Sequence, residues 1–264
     1  MQLDQTRIAI RERGYLDIAD LSLMVMRHHA WPLMLSYFPL AAFFMLFNYV
    51  LLVHGFELNT LEQMPGYICL QSMFILFELP TASALLTLYL GQAMFLESPS
   101  PRRIFSEFSH SLPQLFVFQM LLRGLLIVAC IFPLLLYYVG SPYLNEIILL
   151  ERNKISNTLK RSSVLHAQSS NLLIGRWLAA ILLSSMLFLA LWQSLAFFRQ
   201  KLFGGSLMDL YTFTWEWPLA MWLVCGLFAI VRYLSYLDLR IRREGWEIEL
   251  RMRAEAARLT RHFT

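Results

Sequence analysis

Four ionisable side chains, Glu78, Arg123, Glu146 and Arg232, stand inside otherwise apolar stretches, and any chemistry in a lipid-like environment has to start from them. A charge at the middle of a bilayer costs ~3 kcal/mol or more on insertion scales, so each needs a partner or a purpose. Glu78 falls near the middle of the second apolar run and Arg123 near the middle of the third. Neighbouring antiparallel helices would hold these opposite charges at similar depth. That pairing has two readings, a structural ion pair, which is favoured, and a relay for protons or a charged substrate. Pro80, just beyond Glu78, frees backbone carbonyls in its own helix and adds a polar spot that either role could use. Glu146, beside Asn145, and Arg232 lie towards the cytoplasmic ends of their segments, where they could pair or, for Arg232, snorkel.

The remaining candidates for chemistry are sparse. His28 and His29 are adjacent and point in different directions on a helix, and the other histidines are scattered, so none has metal-ligand spacing. Cys69, Cys130 and Cys225 all lie in apolar runs without a CxxC pair. No phosphate-binding glycine loop, dinucleotide fingerprint or nucleophile elbow occurs. The expectation is a protein with no catalytic motif, no metal and no cofactor.

The elements that must position these groups are membrane helices. Of the 264 residues 58% are hydrophobic and only 15% charged, and the mean hydropathy is +0.53, outside the range of soluble domains. Apolar runs occupy 31–53, 67–94, 115–150, 177–198 and 218–237, each long enough to cross ~30 Å of hydrocarbon. The third run would make one helix of about 54 Å, and Pro133, Gly140 and Pro142 interrupt it. It is expected to fold back as helices 115–132 and 134–150, either both spanning or forming a re-entrant pair.

Charge counting sets the topology, because Lys and Arg beside short loops mark the cytoplasmic side. Eighteen of the twenty-two basic residues fall in 1–30, 95–112, 152–176 and 238–264, while loop 54–66 has none and loop 199–216 only Arg199 and Lys201. Both flanks of the third run are then cytoplasmic, and an even number of passes lies between them. The expected fold is an all-α polytopic membrane bundle of six segments in a single domain, with both termini cytoplasmic and no cleavable signal peptide. Trp31 and Trp177 fall at the cytoplasmic interface of that layout, and Trp215 and Trp217 at the opposite one.

Outside the bilayer, residues 15–31 read as an interfacial helix with Leu16, Ala19, Leu23 and Met26 on one stripe. It is either a plain lead-in, the favoured reading, or a surface for a partner or lipid. The stretch 152–176 carries Arg152, Lys154, Lys160, Arg161 and Arg176 and no acid, so it serves as a topology anchor or as a site for anionic headgroups. Residues 238–264 read as a helix laced by pairs such as Arg240 with Glu244 and Arg243 with Glu247. Its mixed charge argues against nucleic acid as a partner. Ser83, Thr87 and Gly91 recur every four residues, a pattern that lets a second helix come close.

Several stretches carry a family resemblance: Tyr15-Leu-Asp-Ile-Ala-Asp-Leu, Glu151 closing the fourth segment, Leu159-Lys-Arg-Ser162, and, most specific, Tyr236-Leu-Asp-Leu-Arg-Ile-Arg-Arg-Glu-Gly-Trp-Glu-Ile-Glu-Leu250. The chain resembles the bacterial six-helix family related to the glycerophosphodiester phosphodiesterase membrane domain. That membrane part is sometimes fused to a phosphodiesterase domain, but no His-Arg signature of one is present here. The resemblance therefore implies an architecture and a bacterial inner-membrane location, and no reaction.

Three functions are compatible with these features. The leading expectation is a non-enzymatic scaffold or accessory subunit that meets a protein partner and anionic lipid at its cytoplasmic face. The alternative is a transporter or lipid-handling protein using Glu78 and Arg123 beside the broken hairpin. A lipid-modifying enzyme ranks last for want of a motif.

Overall fold

The computed structural model describes residues 14–94, 96, 99–122, 142–151, 155–166, 170–204 and 206–244, and the regular structure among them is entirely helical. Nine α-helices among the described residues are α1 (Tyr15–His28), α2 (Ala30–Val50), α3 (Met64–Ala82), α4 (Ala84–Ala93), α5 (Pro101–Leu115), α6 (Leu144–Glu151), α7 (Ile155–His166), α8 (Ser170–Phe203) and α9 (Trp217–Glu244). Local chemistry sets several starts. Pro65 and Pro101 occupy first-turn positions where a missing N–H is harmless. Thr60 and Gln63 form a capping box ahead of α3, and the Gly14 N–H donates to Asp17 Oδ2 at 3.1 Å at the start of α1.

Among the described residues four helical stretches are long and apolar enough to cross a membrane: Ala30–Gly55, Leu61–Ala93, Leu172–Phe203 and Thr212–Arg243. Leu61–Ala93 and Thr212–Arg243 are each 61% buried in their apolar window and form the centre, whereas Leu172–Phe203 is 11% buried and lies at the periphery. The centre is aromatic and close-packed. Tyr37, Trp222, Tyr233 and Tyr236 are almost fully buried, and the Tyr37 hydroxyl donates to the Trp222 carbonyl at 2.9 Å. In lipid, where apolar side chains gain little from leaving the solvent, such contact and close backbone approach hold helices together. A Cβ on Gly226 would lie 2.7 Å from the Tyr37 ring, and one on Gly91 2.6 Å from Leu150 Cδ2. Ser83 and Thr87 are fully buried, so the small-residue stripe of 83, 87 and 91 does serve close packing.

Other expectations are corrected in detail. Residues 101–112, read as part of a cytoplasmic segment, belong to the amphipathic α5, which buries Ile104 and Phe108 and runs on into the third apolar run through a π-helical turn at Phe116–Leu122. Helix α8 begins at Ser170 and ends at Phe203, so Arg176 and Arg199 are helix residues and not loop residues. Hydropathy trims helix ends whose polar side chains find partners inside the protein. Helix α1 ends at His28 and packs Ile18, Ser22 and Val25 against α9, while Leu16, Leu23 and Met26 on the expected stripe are exposed. Residues 123–141, with Arg123 and the bend of the expected hairpin, lie outside the described residues, as do Arg152, Lys154 and the C-terminal stretch 245–264.

Candidate functional site

The polar groups gather where α3 is broken. Pro80 cannot donate to the preceding turn, and the helix restarts at Ala84 after Ser83, whose Oγ donates to the Leu79 carbonyl at 2.7 Å. Helix α6 fills the space beside this break and is buried on every side from Leu144 to Leu149. Its Asn145 Nδ2 donates to the Pro80 carbonyl at 3.3 Å. Its Glu146 accepts from Arg232 Nε of α9 at 2.6 Å, and Arg232 Nη2 donates to Ser83 Oγ at 3.3 Å. Two of the four intramembrane candidates thus meet each other, and a carboxylate with no solvent exposure is held by a guanidinium that is 25% exposed.

Glu78, one turn before the break, is engaged differently. Asn48 Nδ2 of α2 donates to its Oε2 at 2.8 Å, and both residues are buried. Asn48 is the amide that sequence reasoning passed over, although it is the one strongly polar side chain late in the first apolar run.

A second network joins the ends of α6, α7, α8 and α9. Arg176 of α8 donates through Nη2 to Asp238 and through Nη1 to the Ser235 carbonyl at 3.3 Å. Arg242 reaches the same Asp238 carboxylate at 2.8 Å. Glu151 receives two bonds from Arg161, at 2.6 and 3.2 Å, and one from the Tyr236 hydroxyl at 2.9 Å. Burial pushes the Glu151 carboxyl up, but those donors and the charges of Arg161 and Arg240 outweigh it and hold the group below the usual carboxylate range. Of the anionic-lipid candidates, Arg161 and Arg176 are therefore engaged with carboxylates of the protein, while Lys160 is exposed on α7. His166 stacks on Tyr143 and donates from Nδ1 to the Ser162 carbonyl at 2.5 Å. Burial lowers its pKa, against the pull of that carbonyl.

Beside this network lies a half-enclosed cavity of about 270 Å³ between α8, α9 and the start of α1. Its wall is largely apolar, with Trp177, Ile181, Val224 and Phe228 along it, and Arg176, Arg232, Tyr15, Tyr143 and Ser235 at its polar end. The Tyr15 hydroxyl is buried without a hydrogen-bond partner, and that burial raises its pKa to about 12. Glu78 does not line this space.

Arg199, near the far end of α8, organises a cluster that sequence reasoning had read only as a loop charge. It bonds Glu216 at 2.5 Å, Asp209 at 2.9 and 3.0 Å, Thr212 Oγ1 at 2.7 Å and the Ser206 carbonyl at 3.0 Å. Although burial raises it, the Asp209 carboxyl is held below its ordinary value by Thr212 and by Arg199. The cluster ties the turn between α8 and α9 to both helices, and its signal in the sequence was the run of Asp209, Thr212 and Glu216 within reach of one arginine.

Among the described residues no three His, Cys, Asp or Glu side chains converge as metal ligands. Compared with protein-family models, with curated proteins and with solved structures, the chain matches none.

Proposed function

We propose that this chain is a non-enzymatic multi-pass protein of the bacterial inner membrane, with six membrane segments and both termini in the cytoplasm, that serves as a scaffold or accessory subunit of a membrane complex. The observation carrying this reading is the way its charges close on one another. Glu146 with Arg232, Glu78 with Asn48, Arg176 with Asp238 and Arg199 with Glu216 fix helices to helices, as expected of a rigid frame. Meanwhile α8 turns Leu178, Leu182, Met186 and Leu189 outward along a long, unpacked face that a partner helix could use. The resemblance to the six-helix family supports the same architecture.

Photo-crosslinkers placed at Leu182 and Met186 in native membranes test the reading. One discrete protein adduct, absent when the crosslinker sits at the buried Ile75, is expected. Crosslinks to lipid alone would count against it.

A second reading, lipid handling, is favoured by the cavity beside Arg176 and Arg232. Transport through Glu78 and Arg123 gains nothing comparable, because Glu78 is occupied by Asn48 and stands apart from the cavity.

A further inference from the structure

We infer that the cavity between α8 and α9 binds a single-chain anionic amphiphile, with its acyl chain along the apolar wall and its carboxylate or phosphate head at Arg176 and Arg232. This rests on the lipid-handling reading and is independent of the scaffold reading.

The charge arrangement comes first. Two arginines line the cavity, and among the described residues no carboxylate does. The acids that hold them, Asp238 and Glu146, sit behind, outside the lining. Each arginine is therefore oriented before any ligand arrives, which lowers the ordering cost of binding. Arg232 uses Nε on Glu146 and Nη2 on Ser83, leaving Nη1 for a ligand. A planar, weakly hydrated guanidinium suits carboxylate and phosphate oxygens better than an ammonium would.

Shape gives the other half of the ligand. From Arg176 to Ser184 the α8 wall runs eight residues, or about 12 Å along the axis. At ~30 Å³ per small group, 270 Å³ holds about nine. That is a length of single acyl chain, and too little for two full chains. A water-soluble anion would leave the apolar wall uncovered, and a neutral chain would leave Arg232 Nη1 without the charge-assisted bond it is placed to donate.

Native mass spectrometry of the full chain, titrated with oleate, with oleoyl lysophosphatidate and with uncharged monoolein, tests this. One saturable adduct per chain is expected with an anionic amphiphile, and whichever of the two binds tighter names the head. Monoolein is expected to bind about tenfold more weakly or worse, as the loss of a charge-assisted bond implies. Ala180→Trp fills the cavity while leaving both ion pairs in place, and should abolish the adduct without lowering Tm. If that variant fails to fold, Ser184→Phe on the same wall substitutes for it. Equal binding of monoolein would overturn the anionic head and leave lipid handling standing. No adduct with any amphiphile would overturn both, and an adduct surviving a filled cavity would overturn the site.

Discussion

Arg232 Nε and Glu146 Oε1 meet at 2.6 Å across eighty-six residues of sequence, where α9 passes α6 beside the break in α3. Removing one partner of such a pair strands the other, whereas replacing both with apolar side chains relieves the desolvation of each. Glu146→Leu is expected to lower stability by about 3 kcal/mol, and Glu146→Leu with Arg232→Met to recover most of that. Thermal unfolding in detergent measures the cycle. A double variant as unstable as the two singles added together would show that the residues are not coupled.

The two close-packed glycines should respond differently to alanine. At Gly226 a methyl meets the Tyr37 ring, which the Trp222 carbonyl holds in place, and about 1–3 kcal/mol of overpacking strain is expected. At Gly91 it meets only the tip of Leu150, which can rotate away, and a helix-propensity gain of ~1 kcal/mol offsets the shift. Melting curves should place Gly226→Ala well below Gly91→Ala, and the reverse order would contradict the packing described.

Stability should fall on mild acidification through His166. Its folded-state pKa lies below the ordinary 6.5 because burial disfavours the charged ring, so the unfolded chain takes up a proton first. Stability is then constant above that pH and declines below it, down through the lower folded value. Glu151, whose folded pKa is also lowered, adds a further loss below its ordinary 4.5. His166→Phe keeps the stack on Tyr143 and should flatten the upper window of a Tm-against-pH curve, leaving the lower one unchanged.

Asn48 and Glu78 predict an asymmetry of another kind. Asn48→Leu leaves the buried carboxyl without its amide donor and should cost about 1–3 kcal/mol, while Glu78→Gln retains a hydrogen-bonding side chain of the same size and should cost less. Unfolding of both variants in one detergent decides it.

The proposed orientation has its own check. In a cysteine-free background, Asn59→Cys should react with an impermeant maleimide on intact cells, and Lys160→Cys only after permeabilisation. Labelling in the opposite sense would invert the topology.

The four helices long and apolar enough to cross a membrane were legible because apolar runs respond to one strong term, the exclusion of charge from hydrocarbon. The network was only partly so. Glu146 and Arg232 stood out as charges in apolar surroundings, but which carboxylate faces which arginine depends on helix rotation and register, which no run length encodes. Asp238 and Tyr236 looked like ordinary residues of a charged helix end, yet their contacts with Arg176 and Glu151 join three helices. Helix α5 was missed because its apolar face is interleaved with serines and charge, which averages to a polar stretch even though the helical period is strong.

The length of α8 has a mechanical corollary. Thirty-four residues reach about 51 Å, while a hydrocarbon layer is ~30 Å, so a rod of this length set across a bilayer must lean or stand proud of it. Since among the described residues it packs mainly along α9 and the turn that precedes it, a thicker or thinner host membrane would load that seam first.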